Sequence, residues 1–383
     1  MNSEAIKNKF IELFDNEPLM FRSPGRINLI GEHTDYNDGF VFPAAIDKEV
    51  HFAVAKNNVK RFRFYAFDLL ESFDLDIDKL AKSNTAWANY LLGVAAQYQK
   101  AGMDITEGVD CVFGGNIPIG AGLSSSAAIE NGFAFALNVL FDFSVDKLQM
   151  VQIAQKAEHE YAGVMCGIMD QFASMHGEEN QALKLDCRTL DYEYANINMQ
   201  DYGIVLCDSN VKHDLASSEY NTRRKECETG VSVLQKYNKN IKALRDVSLD
   251  MLEEHKTELD PVVYKRCAYV VKENKRVEDA FKALHHNDIK HFGELMYLSH
   301  EGLRDEYEVS CKELDTLFDI ARKNDSVVGA RMMGGGFGGC TINLVKRSKI
   351  DEFTEQIKDE YKKITGKNTT IHIVKIAKGT GLL

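Results

Sequence analysis

Apolar residues recur along this chain with two different periods. Ile6, Phe10, Leu13 and Phe14 stand at helical spacing among Glu4, Lys7, Lys9 and Glu12, which predicts an amphipathic surface helix. The stretch 21–68 is extended and rich in turns. Asn37-Asp38-Gly39 predicts a hairpin between two short strands, with Asp38 serving the turn. Segments 49–55 and 61–67 alternate about Asn57-Asn58, which predicts a second hairpin. Helical spacing returns over 87–98, and a strand at 109–113 runs into a glycine-rich loop at 114–122. A helix follows from about Ser124 to 140, and 145–162 and 168–175 read as two more. The polar stretch 185–201 reads as an irregular junction. Beyond it the pattern predicts a strand at 203–207, charged helices near 219–237 and 262–284, and strands at 327–333, 341–345 and 370–376. Strands and helices mix without a regular βαβ rhythm, which favours a two-domain α+β protein.

Composition narrows the class. The 383 residues are 44% hydrophobic and 27% charged, the balance of a globular chain with a sizeable core. A net charge of −12 repels phosphate backbones and argues against nucleic-acid partners. Arg223, Arg224 and Lys225 are flanked by Glu219, Glu226 and Glu228 and read as a solvated helix face. Eight cysteines without a C-x-x-C pair support neither a zinc site nor a disulfide framework, and scattered thiols fit a reducing cytoplasm. The first residues do not read as a signal peptide, and no apolar run reaches the roughly 18 residues that would suggest a membrane span.

The chemistry concentrates where the strand at 109–113 feeds Gly114-Gly115-Asn116-Ile117-Pro118-Ile119-Gly120-Ala121-Gly122-Leu123-Ser124-Ser125-Ser126 and then a helix. Glycines let a backbone approach an anion, and the first helical turn offers unpaired N–H groups and partial positive charge. Together they form an anion site suited to nucleotide phosphates. A serine-capped glycine turn explains any one of these features but not four glycines and three serines between Gly114 and Ser126. No Gly-Lys-[Ser/Thr] closes the loop, so it is not a P-loop, and no protein-kinase His-Arg-Asp or Asp-Phe-Gly set is present. Phosphate charge must then be met by the helix terminus, a metal ion and another cation. Gly334, Gly336 and Gly339 satisfy G-x-G-x-x-G literally, but a strand rather than a helix is expected from 340, which argues against a dinucleotide site.

Strand, G-x-G-Leu-Ser-Ser-Ser-Ala and helix resemble the second motif of the GHMP small-molecule kinases, a family that includes galactokinase, mevalonate kinase and homoserine kinase. Residues 23–36 resemble the first motif in its galactokinase form, twelve of them without a break from Gly25 to Tyr36. Residues 329–340 resemble the third. The resemblance implies a two-domain GHMP kinase fold: an N-terminal ribosomal-protein-S5-like domain over 1–195 and a C-terminal ferredoxin-like α/β domain over 196–383, with the active site between them. It implies transfer of the ATP γ-phosphoryl group to O1 of α-D-galactose, with Mg2+ as cofactor. ATP and galactose are the expected partners; no nucleic acid, membrane or protein partner is indicated, and a cytoplasmic monomer is expected.

Carried over residue by residue, the resemblance makes Arg26 and Asp170 the catalytic pair. A carboxylate accepts the proton of a weak sugar nucleophile, and an adjacent guanidinium stabilises the developing charge and keeps the carboxylate ionised. Glu32, His33, Thr34 and Asp35 would hold galactose, with the backbone of Gly167 and the side chain of Tyr220. If residues 32–35 were extended, Glu32 and Thr34 would face away from His33 and Asp35, so a convergent site needs a bend there. Gly120, Ala121, Gly122, Leu123, Ser124, Ser125 and Ser126 would hold ATP, with Trp87 and Tyr90 lining the adenine pocket. Ser126 and Glu158 would ligate Mg2+, which suits oxygen donors and few protein contacts. The glycine turns at 334–339 carry no evident chemistry and are expected to shape the cleft from the second domain. Two other readings use the same residues. One is a kinase for a related sugar such as N-acetylgalactosamine, whose larger C2 substituent needs extra space. The other is a non-catalytic galactose sensor, disfavoured because Ser125-Ser126-Ala127-Ala128 is intact where such sensors are altered.

Overall fold

The computed structural model describes residues 3–118, 120–197, 201–211 and 216–383. Helix α1 (Ser3–Phe14) buries Ile6 and Phe10, as its spacing predicts, and leaves Ile11 and Leu13 exposed. Five strands follow: β1 (Leu19–Asn28), β2 (Phe40–Val41), β3 (Pro43–Asn57), β4 (Arg61–Ala66) and β5 (Glu71–Asp76). Helix α2 (Ala88–Lys100) leads to β6 (Gly108–Gly115), and β6 leads through the glycine loop into α3 (Ser125–Phe141). Helices α4 (Lys147–Ala157) and α5 (Met169–His176) precede β7 (Gln181–Asp186), β8 (Tyr192–Asn196) and β9 (Tyr202–Asp208). Five helices come next: α6 (Ala216–Leu234), α7 (Leu249–Glu254), α8 (Pro261–His285), α9 (Ile289–Asp305) and α10 (Lys312–Lys323). The chain finishes with β10 (Val327–Met332), β11 (Cys340–Lys346), α11 (Ile350–Thr365), β12 (Thr370–Val374) and β13 (Gly381–Leu382).

Three sheets result, in the orders β13-β1-β3-β6-β4-β5, β10-β11-β9-β12 and β2-β7-β8. The largest carries α3 and α5 against it, and a continuous core joins Phe21, Phe52 and Phe64 of the sheet to Phe133 of α3 and Phe172 of α5. A second core lies among α6, α8 and the end of α9, and a third between the smaller β9–β12 sheet and helices α10 and α11. Among the described residues no helix is long and apolar enough to cross a membrane.

Five expectations about the elements need correction. The segments 49–55 and 61–67 are strands, but they do not form a hairpin: β6 lies between them, antiparallel to β3 and parallel to β4. The buried Asp110 of β6 explains the insertion, because it receives two hydrogen bonds from Arg63 of β4 and one from Asn57 at the end of β3. The turn at Asp38 is real, with φ of 57°, yet β2 pairs with β7, and β1 pairs with β3 around a wide connection. The helix expected over 145–162 breaks at Glu158 into a π turn, Glu158–Ala162, ended by Gly163 at φ of 80°. The stretch 185–201 is not irregular where described, since β7 and β8 form a hairpin there; residues 198–200 of that stretch lie outside the described residues. The solvated face proposed for 223–225 also fails at Arg223. Its guanidinium is buried, donating to the carbonyls of Tyr307 at 2.8 Å and Glu308 at 2.9 Å, while Lys225 stays exposed.

Candidate active site

The site begins where β1 meets the glycine loop. The register of β1 against β3 shifts between Pro24 and Arg26, and such a bulge re-aims the side chain that follows it. Gly25 lets the strand press on the loop, because a Cβ there would stand 2.7 Å from the Leu123 carbonyl. The Arg26 amide donates to that same carbonyl at 3.1 Å, and its Nη1 donates to Gly122 O at 2.6 Å. The rest of the guanidinium grips Asp170 in bidentate fashion, Nε to Oδ1 at 2.7 Å and Nη2 to Oδ2 at 2.8 Å. Burial opposes the charge on Arg26, but Asp170, Glu32 and Asp35 outweigh it and raise its pKa. Arg26 is 5% exposed and Asp170 25%, so the carboxylate is the member of the pair open to a reactant.

Asp170 sits in the first turn of α5 and also accepts from the Ser124 hydroxyl. Ser124 is the residue before α3 and adopts φ of 56°; its side chain makes no cap bond to the helix. Its hydroxyl is turned to Asp170 instead, which leaves the first-turn amides of α3 uncapped by it. Gly120 and Gly122 take φ of 80° and 75°, backbone that a side chain would strain. Ala121 and Leu123 are buried, Ser125 and Ser126 are half-buried, and Ile119 of this loop lies outside the described residues.

Below the Arg26–Asp170 pair lies a cavity of about 240 Å³, at the small end of ligand sites. Glu32, His33, Asp35, Gly167 and Tyr220 line it together with Arg26, Asp170 and Glu158. The bend that convergence demands is present: Gly31 has φ of 99°, His33 φ of 62°, and a short helical turn runs Asp35–Asn37. Thr34 does not line the cavity; its buried hydroxyl lies 2.6 Å from Phe40 O and 3.0 Å from Gly31 O and closes the turn. Gly167 is required on steric grounds, since a Cβ there would stand 1.8 Å from Asp35 Oδ2. Burial, with Asp170 and Glu32 adding, pushes the Asp35 carboxyl up to about 7. Burial pushes the His33 imidazole down to about 3, while the nearby Gly335 carbonyl acts against that shift.

The region 329–340 joins β10 to β11, so its glycine pattern sits between two strands and opens no helix. Instead it supplies support to the cavity wall. The buried Arg331 donates to Glu32 Oε1 at 2.8 Å, and the Gly334 amide donates to the same oxygen at 2.8 Å. Helix α8 holds the turn from behind. Tyr269 OH donates to Glu32 O, Glu273 accepts from the Gly31 amide at 3.0 Å, and Asn274 accepts from the Phe40 amide at 2.9 Å. None of these helix residues stands out in the sequence, where they belong to a long charged helix.

Glu158 is buried at the start of the π turn, where it accepts from Ser126 and, at 2.6 Å, from Gln171 Nε2. Burial first and Asp170 second raise its pKa. Gln171 also donates to Glu130 Oε2 at 3.1 Å, and burial and Glu158 hold the Glu130 carboxyl well above the ordinary range. Gln171 thus bridges Glu130 and Glu158 behind the cavity, which neither Gln171 nor Glu130 lines; Gln171 follows Asp170 directly, and that adjacency was the one available sequence signal. Among the described residues no group of three or more His, Cys, Asp or Glu is placed to hold a metal ion. Trp87 and Tyr90 lie outside the cavity. Trp87 donates to Glu71 and packs near Phe113 with centroids 5.6 Å apart, and half-buried Tyr90 has its pKa pushed up to about 12 by burial, Glu158 and Glu130.

Known proteins match this arrangement along almost the whole chain. The galactokinase galactose-binding signature matches residues 8–56, the GHMP kinases N terminal domain 89–178 and the GHMP kinases C terminal domain 280–363. Galactokinase from Clostridium beijerinckii is 45% identical over 387 aligned positions, covering 99% of this chain and 98% of that protein. Galactokinase from Thermotoga maritima is 43% identical, covering 94% and 98%. The crystal structure of Lactococcus lactis galactokinase complexed with galactose superposes with a TM-score of 0.96 at 37% identity, covering 99% of each chain. Methanococcus jannaschii mevalonate kinase shares the fold, with a TM-score of 0.65 at 17% identity over 95% of this chain and 99% of that one. The chain belongs to the galactokinase family of GHMP kinases and is an ATP-dependent sugar kinase.

Proposed function

We propose that the chain transfers the γ-phosphoryl group of ATP to the C1 hydroxyl of α-D-galactose, giving galactose 1-phosphate and ADP. The observation that carries this reading is the bidentate Arg26–Asp170 pair opening onto the cavity shared by Glu32, His33 and Asp35. Asp170 takes the O1 proton as O1 bonds to the γ-phosphorus and the bond from phosphorus to the departing ADP oxygen breaks. Arg26 offsets charge at Asp170 and on the transferring group. The ligand named for the Lactococcus lactis structure supports galactose as the sugar. Glu32, His33 and Asp35 supply its polar contacts, with Tyr220 and the Gly167 backbone closing the wall. Thr34 contributes through the turn it closes.

The phosphates of ATP occupy the loop Gly120–Ser126 and the start of α3, and Trp87 and Tyr90 border the adenine. Glu158 is a buried carboxylate with no lysine or arginine partner among the described residues, and a serine hydroxyl touches it. That donor set fits a hard cation, so Ser126 and Glu158 would hold Mg2+. When bound, the ion neutralises phosphate oxygens. The division at 1–195 and 196–383 is supported by the separate matches at 89–178 and 280–363. Eight free cysteines support a reducing, cytoplasmic setting.

The test is ADP release over a panel of hexoses that includes N-acetylgalactosamine, with the phosphate position read by NMR. Galactose should be turned over and carry phosphate on O1. Asp170→Asn should lower turnover by about 10²- to 10⁴-fold while galactose binding stays measurable by calorimetry. Phosphate at another hydroxyl, or full turnover by the variant, would end this reading.

A further inference from the structure

Behind the cavity wall, hydroxyl groups form a chain that the transfer step does not use. His33 Nδ1 lies 2.7 Å from Tyr36 OH, Tyr36 OH lies 2.7 Å from Tyr307 OH, and Tyr307 OH lies 3.3 Å from the Cys227 thiol. Tyr307 follows α9 and Cys227 sits on α6, and both are buried. Burial raises the pKa of both phenols well above the ordinary value, so they remain neutral donors. Among the described residues each phenol hydroxyl hydrogen-bonds only to its two neighbours in this chain, while the Cys227 thiol also meets the Asn37 side chain.

Each hydroxyl carries one hydrogen, so the contacts must run in a single direction. If both phenols pointed outward, the close oxygen pair between them would have no hydrogen to bridge it. Two directions remain, one ending on the imidazole and the other on sulfur. An imidazole nitrogen is a strong acceptor and a thiol sulfur a weak one. The hydrogens therefore run from Cys227 to Tyr307, from Tyr307 to Tyr36 and from Tyr36 to His33. That order makes Nδ1 a bare acceptor and puts the hydrogen of the neutral ring on Nε2. Among the described residues Nε2 is buried without a full hydrogen bond; the Gly335 carbonyl is the one protein acceptor near the ring, and His33 lines the cavity. A buried N–H left without a partner costs free energy until a ligand oxygen accepts from it.

We infer that Tyr36 and Tyr307 are positioning residues that lock His33 in its Nε2–H tautomer, so that the ring presents one hydrogen-bond donor to an oxygen of the bound sugar. The recognition half of this inference rests on His33 being a sugar contact; the tautomer half does not.

The experiment uses full-length protein labelled with 15N-histidine. Long-range 1H–15N spectra are recorded without ligand, and His33 is assigned by its loss in His33→Gln. Wild-type His33 should show a hydrogen-free Nδ1 and a protonated Nε2. Tyr36→Phe should give mixed or reversed tautomers and raise the galactose KM about tenfold, leaving the ATP KM and kcat in place. Tyr307→Phe, which keeps the Tyr36 contact, should fall between the two. A hydrogen on Nδ1 in the wild type, or an unaltered tautomer in Tyr36→Phe, overturns the inference. Loss of the tautomer with an unchanged galactose KM overturns the recognition half and the sugar role of His33. The kinase reading is judged separately, by the position of phosphate on the product.

Discussion

At Asp35, the proposed sugar contact and stability pull in opposite directions. The absent side chain of Gly167 gives its carboxyl room, and Asp170 and Glu32 add their negative charge nearby. Burial and those neighbours raise its pKa from 3.8 to about 7, so the folded protein holds the Asp35 proton more tightly than the unfolded chain does. Below the unfolded value both states are protonated and the group costs nothing. As pH rises through that window the unfolded state releases its proton first, and folding stability falls until both have released it. Asp35→Asn removes the penalty without changing the shape of the side chain. Thermal melts should therefore place the variant above wild type at pH 8, with the gap closing by pH 4. Sugar affinity should drop at the same time. A gap that stays constant across this range would refute the assignment of the penalty to Asp35. The sequence made Arg26, Glu32, His33, Asp35 and Asp170 visible because short motifs carry them. It left Glu130, Gln171 and Arg331 without roles, because theirs come from contacts with distant segments: Arg331 meets Glu32 across 299 positions of chain.

Helix α3 shows why an element cannot be judged from its own sequence. Gly132 lies in its middle, where alanine would favour the helix by about 1 kcal/mol. The added Cβ, however, would stand 2.2 Å from Cε2 and 2.5 Å from Cζ of Phe52. Phe52 belongs to β3, is fully buried and stacks near Phe113, so it has little space to withdraw. Overpacking of this kind costs about 1–3 kcal/mol, which exceeds the propensity gain. Gly132→Ala should lower the urea midpoint, and a variant as stable as wild type would show that the ring moves aside freely. The same distinction governs what the pattern of apolar positions revealed. Alternation identified β3 and β4 as strands, since a half-buried strand alternates whatever its neighbours. It could not identify the partner, because β6 enters from about fifty positions downstream and is fixed there by Arg63 and Asp110. Helical spacing likewise marked the run into Glu158 but not the π turn, which adjusts backbone geometry without disturbing the side-chain pattern.

Across the whole molecule, the last residues return to the elements that carry the Arg26–Asp170 pair. β13 pairs with β1, matching Leu382 to Phe21, and the Leu383 amide donates to Met20 O at 3.0 Å. Thr380 joins three segments: its hydroxyl lies 2.8 Å from Ser23 Oγ and 3.0 Å from Ser174 O, and its amide donates to Ser174 O at 2.9 Å. Ser23 shares β1 with Arg26, and Ser174 shares α5 with Asp170. The tail therefore ties together the two elements whose spacing sets the Arg26–Asp170 contact. Thr380→Val keeps the shape and removes the hydroxyl, so buried Ser23 loses one partner but keeps Ser174 Oγ at 3.2 Å, at a cost of about 0.5–1.5 kcal/mol. Turnover should suffer less, because the bidentate pair restrains itself once the chain is folded. The expected result is a lower urea midpoint in Thr380→Val, restored by Thr380→Ser, with kcat at 25 °C within about threefold of wild type. If kcat instead falls as far as in Asp170→Asn, the tail sets the geometry of the pair and the guanidinium–carboxylate contact does not.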